Sequence, residues 1–291
     1  MGEPKGKKSR GEAGGQPDGR HAFYLYCVGE RAALAPLFEA QLPPAIEVEA
    51  RLEMETHDTL AAVLSAVPLA DYGEDALRER LSSPAWTAVR AMRHEKVVEH
   101  FARRTSVVPL RFGTIYLERA SVRAMLSEKE QTLSAIIEQL RGREEWGINI
   151  LCDREMLLEA IISLSPRLRA LEEQAASASP GQSYLLRKKM DAMRADEARA
   201  VMKRIAAQIE GDLAPRSFGA VRLRVLKDEG GEHNDLVAKL AFLVAHDRFE
   251  EFRAAAERLA EEHAPAGFKL ELTGPWPAYN FIADGGLRIA D

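Results

Sequence analysis

The segment His94-Glu95-Lys96-Val97-Val98-Glu99-His100 carries the residue types of a zinc-binding helix. That chemistry needs two histidines at i and i+4, one turn apart on one face. Here the i+4 residue is Val98, and His100 lies six residues on, about 240° round a helix of 3.6 residues per turn. Two imidazoles so placed cannot share an ion on a straight helix, so no metal is expected and the segment reads as a solvated helix face. Cys27 and Cys152 offer thiol chemistry, but each is flanked by strand-forming residues, where a free cysteine is a small buried hydrophobe. His57-Asp58 has the types of an acid–base pair. Neighbouring residues of a strand or turn diverge, however, and hydrogen bonding and capping account for both.

Arg111, ahead of Phe112-Gly113-Thr114, could hold an anion, and Gly230-Gly231 is the other conspicuous glycine site near a strand end. Neither has the repeated glycines of a dinucleotide loop nor the Gly-Lys-Ser/Thr ending that cradles phosphate. Arg111 is expected to pair with a carboxylate of this acidic chain. Arg187-Lys188-Lys189, beside Tyr184, reads as a solvated helix face, with an acidic partner surface as the alternative. An enzyme site would have to be drawn from Arg111, His57 and Cys152. No converging catalytic set and no cofactor site emerges.

The elements that must position these residues follow from periodicity. Residues 21–28 read as a strand apolar on both faces, hence buried. A short helix over 31–40 ends before Pro43-Pro44. Ile46, Val48, Ala50, Leu52 and Met54 alternate with Glu47, Glu49, Arg51 and Glu53, which predicts a strand with one wet face. Residues 60–67 make the next strand, with 56–58 as the link. Ser83 is the expected cap and Pro84 the first residue of a helix to about 104, burying Trp86, Val89, Val97 and Phe101. Residues 107–114 are an edge-type strand or extended segment, because Pro109 lacks a donor. One helix is predicted over 118–141.

The order then recurs. Trp146, Ile148, Ile150 and Cys152 alternate along a strand, and a helix from about 154 carries Met156, Leu157, Ala160 and Ile161. Residues 177–181 are loop-like, and 185–213 are helical. Strands follow at 218–227 and 236–245 around a turn at 228–232. Asp247 with Glu250 predicts a capping box for a helix burying Phe249, Phe252, Ala256 and Leu259. Residues 268–272 supply the last strand. This reading predicts an α+β chain of two domains. The C-terminal one is ferredoxin-like, βαββαβ with an extra helix. The N-terminal one is a smaller α/β sandwich of similar element order. The divisions are a disordered tail at 1–20, a first domain at 21–117, a helical connector at 118–143, a second domain at 144–274 and an extended aromatic/proline tail at 275–291.

The tail Thr273-Gly274-Pro275-Trp276-Pro277-Ala278-Tyr279-Asn280-Phe281 holds two prolines, so it suits neither a helix interior nor a central strand. Its Trp276, Tyr279 and Phe281 are too much aromatic area to fray, and are expected to pack back on the domain junction or the first domain.

Bulk composition sets limits. With 291 residues, 46% hydrophobic and 29% charged, the chain can bury a real core. A net charge of -5 argues against nucleic acid as the principal partner. Two cysteines exclude a disulfide scaffold and suit a reducing cytoplasm. Residues 1–20 have no apolar core of a secretory signal, and no apolar run reaches spanning length, so no membrane partner is expected.

Several blocks, in this order, resemble the gas vesicle protein GvpF/GvpL family across most of residues 21–283. They are Tyr24-Leu25-Tyr26, the run from Val107 through Pro109-Leu110-Arg111-Phe112-Gly113-Thr114, Glu144-Glu145-Trp146-Gly147-Ile148, Pro180-Gly181-Gln182-Ser183-Tyr184-Leu185, and the tail from Leu272 through Phe281. The charged extension 1–20 and Asn149, where a lysine is expected in many relatives, depart from the pattern. The resemblance implies a non-enzymatic accessory protein for building gas vesicles, the gas-filled protein shells of buoyant microbes. It implies two α+β domains with a ferredoxin-like C-terminal one. It further implies association with the hydrophobic major shell protein and with other accessory proteins, at the gas vesicle in the cytoplasm. A minor structural component at the vesicle tip or surface is the alternative, and the F and L types are not separated. Candidates for partner binding or the domain junction are Arg111, Phe112, Trp146, Tyr184, Arg187, Lys188, Trp276, Tyr279 and Phe281. No cofactor is expected, and the default state is a monomer.

Overall fold

The computed structural model describes residues 21–225, 234–283 and 286–287. The tail expected at 1–20 and the turn expected at 228–232 lie outside the described residues.

β1 (His21–Glu30) is the inner strand that its two apolar faces demand. α1 (Arg31–Leu34) and a 3-10 turn (Ala35–Glu39) lead from it towards a hairpin of β2 (Leu52–His57) and β3 (Leu60–Pro68). The hairpin turns on Asp58-Thr59, with Asp58 left-handed at φ 47°. His57 is therefore a strand residue, not part of a three-residue link.

The strand expected from Ile46 begins only at Leu52. The amide of Ile46 donates to the Tyr26 hydroxyl at 2.8 Å. The Glu47 carboxylate is held by Tyr72 at 2.5 Å and Arg90 at 2.8 Å, and Ala50 N–H closes a turn on Glu47 O. Side chains and a turn thus take the groups that a neighbouring strand would have used, and Val48 is left 57% exposed.

α2 (Leu69–Tyr72), α3 (Glu74–Leu81) and α4 (Pro84–Ala102) follow. Ser83 precedes α4, but its side chain makes no capping bond. The face of α4 that turns inward carries His94, Val97, Val98 and Phe101, whereas Val89 is exposed. The expectation of a solvated face around His94 is thereby overturned, because its i+3, i+4 and i+7 neighbours are the helix's apolar stripe. β4 (Val107–Pro109) and β5 (Ile115–Tyr116) both pair with β1, separated by a turn at 110–114. The first sheet runs β2-β3-β1-β4, antiparallel, with β5 also on β1. The single helix expected over 118–141 breaks at Lys129 into α5 (Arg119–Glu128) and α6 (Glu130–Leu140).

β6 (Arg143–Asp153) opens the second half. Asp153 caps α7 (Arg154–Leu164), accepting from Glu155 N at 2.9 Å and Met156 N at 3.1 Å. Met156, expected inside, faces out. Ser165 caps α8 (Pro166–Ser177), and α9 (Pro180–Leu213) starts after only two residues, so the loop expected over 177–181 contracts. β7 (Gly219–Leu223) and β8 (Asn234–Ala245) pair, and α10 (Phe249–His263) leads to β9 (Phe268–Trp276). The expected capping box does not form: Asp247 sits in a 3-10 turn, Arg248 occupies the cap, and Glu250 pairs with Arg253. The second sheet runs β7-β8-β6-β9, antiparallel throughout.

The fold is a mixed α+β one with two sheets. Helices α7 to α10 cover one face of the second sheet, while α4 and α1 cover one face of the first. Between the sheets lies a shared core. Leu25, Val28 and Leu64 enter it from the first sheet, Leu126 and Ile136 from α5 and α6, and Ala241 and Leu243 from β8.

Candidate functional site at the junction of the two sheets

The C-terminal segment builds this junction. Among the described residues β9 pairs only with β6, and at this edge it runs on through Gly274-Pro275 to Trp276, four residues beyond the expected end. An edge position accommodates Pro275, since no donor is needed there. Gly274 takes φ 125°, a conformation that strains any other residue, and a Cβ there would crowd the carbonyl of Glu145 at 3.0 Å and the Trp146 ring at 3.2 Å. A 3-10 turn, Tyr279–Phe281, then enters the junction, and a short β10 (Ile282–Ala283) pairs with β11 (Gly286–Leu287). Phe281 and Ala278 are buried in the shared core.

Two buried titratable groups receive the turn. Glu145 of β6 is 4% exposed and accepts from Asn280 N at 3.1 Å and Asn280 Nδ2 at 2.5 Å. Burial pushes its carboxyl up to about 7, against the opposing effect of the Asn280 hydrogen bonds. His94 of α4 is fully buried, and burial pushes its imidazole down to about 4, so the ring is neutral at pH 7. A carbonyl can only accept, so His94 Nε2 carries the hydrogen and donates to Leu110 O at 3.1 Å. The same nitrogen lies 3.1 Å from the Tyr279 hydroxyl oxygen. Nδ1 is then the acceptor, and the Tyr24 hydroxyl donates to it at 3.0 Å. Gly113 N–H donates to the Tyr24 oxygen at 3.0 Å, from a left-handed turn at φ 85°. Tyr279 in turn donates to the Glu95 carboxylate.

The result is a continuous hydrogen-bonded line from Glu95 through Tyr279, His94 and Tyr24 to the 110–114 turn. Burial raises the hydroxyl pKa values of Tyr24 and Tyr279 far above neutrality. The line therefore holds protons in fixed places and clamps the C-terminal turn onto α4 and β1.

The remaining sequence candidates scatter. Phe112 packs edge-on to Tyr24 and His94, beside the line. Trp146 stacks on Phe249 with centroids 4.1 Å apart. Trp276, expected to pack back, is instead 54% exposed, because its Nε1 donates to Thr273 Oγ1 at 3.2 Å and keeps the ring at the surface. Tyr184 is 66% exposed near the start of α9, with Arg187 and Lys188 exposed beyond it. Arg111 lines a groove described below, which neither His57 nor Cys152 reaches. Cys27 and Cys152 are buried, with burial raising both thiol pKa values, which suits packing rather than reactivity. At the surface, ligating atoms of His57, Asp58 and Glu130 lie within 4.8 Å of one another. Such an exposed cluster occurs commonly without an ion.

Sequence reasoning missed His94 and Glu145. The apolar neighbours of His94 at i+3, i+4 and i+7 were a usable signal. Glu145 had none, because its partner Asn280 is 135 residues away.

A family model described as gas vesicle synthesis protein GvpL/GvpF matches residues 22–283. Gas vesicle protein L of Streptomyces sp. (strain CB03234) is 28% identical over 232 residues, covering 77% of this chain and 80% of that protein. Gas vesicle protein F of the same strain is 28% identical over 197 residues, covering 66% of this chain and 76% of that protein. The crystal structure of GvpF from Anabaena sp. PCC7120 superposes with a TM-score of 0.62 at 15% identity, over 93% of this chain and all (100%) of that one.

Proposed function

The chain belongs to the GvpL/GvpF family of gas vesicle synthesis proteins, and from that premise we propose that it binds the hydrophobic shell subunit and other accessory proteins while a gas vesicle nucleates or grows. The observation that carries this reading is a family match running through nearly all the described residues, from 22 to 283. A strongly apolar subunit aggregates unless its exposed surface is held until assembly. A protein with two sheets, open sheet edges and a groove between them can hold such a surface by stoichiometric binding, with no turnover. Among the described residues no helix is long and apolar enough to cross a membrane, and the proposed place of action is the gas vesicle in the cytoplasm. An L-type and an F-type relative match at the same 28% identity, which leaves the chain between the two types.

The finer architecture belongs to the same reading. Residues 144–274 form a ferredoxin-like unit, supported by the antiparallel order β7-β8-β6-β9 and by helical crossovers before β7 and after β8. Residues 21–117 form the first unit, 118–143 connect the two, and the described part of the tail, 275–283, ties them together.

Co-expression with the shell protein and the other accessory components, followed by pull-down, is expected to recover a complex. Deletion is expected to impair vesicle assembly. Failure of both would sink the role. Quantitative mass spectrometry of urea-washed vesicles then separates a removable factor, the expected result, from a retained structural component.

A further inference from the structure

Along the outer edge of β7 runs a groove of about 760 Å³ whose wall shares Leu110 and Tyr279 with the hydrogen-bonded line at His94. Its apolar wall includes Val108, Leu110, Met125, Leu133 and Ile136, contributed by the first sheet's edge and by α5 and α6. Its charged lining residues are Arg111, Lys129, Arg222 and Arg224, with no carboxylate among the described ones, in a chain whose net charge is -5. A concentration of one sign against the overall balance raises a local positive potential and selects an acidic occupant.

The backbone supplies a second observation. β7 ends the order β7-β8-β6-β9, so among the described residues only one side of Gly219–Leu223 is paired, with β8. The other side presents a row of amide and carbonyl groups, a ready template for one more strand. The side chains of β7 sort by face. Val221 and Leu223 pack against the shared core, while Arg222 pairs with Glu210 of α9 on the opposite face. A strand laid beside β7 inherits that alternation, because cross-strand neighbours share a face.

We propose that the outer edge of β7 captures an extended segment of a partner protein in which apolar and acidic residues alternate. The apolar residues enter the groove beside Val221 and Leu223, and the acidic ones meet Arg224, Arg222 being held by Glu210. Lys129 reinforces the attraction across the mouth. This deepens the reading of the chain as a protein-binding accessory factor and rests on it.

The test uses the full chain and fluorescein-labelled nine-residue peptides of alternating Val and Glu, with binding read by anisotropy. Reversing two charges, Lys129→Glu with Arg224→Glu, is expected to weaken binding at least tenfold, and the Val/Lys peptide is expected not to bind the wild type. Two further peptides carry N-methyl groups on alternate amides, one set each. An added strand loses binding for one set and keeps it for the other. Equal binding of both methylated peptides, equal binding to the reversed variant, or no binding at millimolar concentration overturns the proposal. So does a stapled acidic helix that binds as tightly as the extended peptide. A deletion of residues 284–291 that raises affinity more than tenfold overturns it in favour of the chain's own end as occupant. A dimer that the peptide dissolves overturns it in favour of a second copy. A chain that recovers gas vesicle proteins but binds no peptide sinks the edge proposal alone; peptide binding with no recovery sinks the accessory reading.

Discussion

At the scale of residues, Glu145 and His94 couple the junction to pH in opposite senses. The folded pKa of Glu145 is raised from 4.5 to about 7, so the folded state resists its ionisation. Its contribution to stability is full below 4.5 and is lost as pH rises through 7. The folded pKa of His94 is lowered from 6.5 to about 4, so its contribution is full above 6.5 and is lost as pH falls through 4. Between 4.5 and 6.5 the two slopes oppose each other. Glu145→Gln keeps one of the two oxygens that accept from Asn280, a loss that does not vary with pH, and removes one slope. Urea unfolding is expected to show the variant gaining about 1–3 kcal/mol relative to wild type between pH 4.5 and pH 8. In that background, stability is expected to fall steadily from pH 6.5 to 4. A difference between variant and wild type of equal size at both ends of the range would rule out ionisation of Glu145 as the cause.

At the scale of elements, the C-terminal turn is held by burial and by polar bonds together. Fully burying Phe281 is worth roughly 1.5–3 kcal/mol, while ordering each backbone residue costs about 1–2 kcal/mol. Burial alone leaves the segment marginal. The Asn280 bonds to Glu145 and the Tyr279 contacts with His94 and Glu95 make up the difference, with the prolines restricting the unfolded chain. Phe281→Ala opens a cavity in the shared core and is expected to cost about 3–5 kcal/mol by chemical denaturation. Truncation after Thr273 additionally strips Glu145 and His94 of partners. A lower melting temperature and faster proteolysis are the expected outcomes. An unchanged melting temperature in both variants would show that the turn is not a clamp.

For the whole molecule, the core between the sheets makes two halves behave as one. Leu25 and Val28 from the first sheet, Ile136 from α6, Leu243 from the second sheet and Phe281 all belong to it. Neither sheet can shed that face without exposing the other. Calorimetry is therefore expected to give one transition, with far- and near-UV circular dichroism coincident. Two resolved transitions would mean that the shared core does not couple the halves.

The sequence by itself determined what short-range pattern controls. The apolar run 21–28 demanded an inner strand, the helical stripe of α9 stands where its period placed it, Pro109 required a sheet edge, Pro275 ruled out a helix interior or a central strand, and the ordered motif blocks named the family. Periodicity reports only which face of an element prefers to be dry. Tertiary structure decided which groups found partners far along the chain. The alternation from Ile46 was drawn away from a strand by the Tyr26 hydroxyl and by Tyr72 and Arg90 on Glu47. His94 and Glu145 became buried centres because Tyr279 and Asn280, 185 and 135 residues away, arrived to hydrogen-bond them. Trp276 stayed at the surface, its indole N–H held by Thr273 three residues back. A buried polar group is tolerable only when its partner is in place, and that partner is a property of the assembled fold.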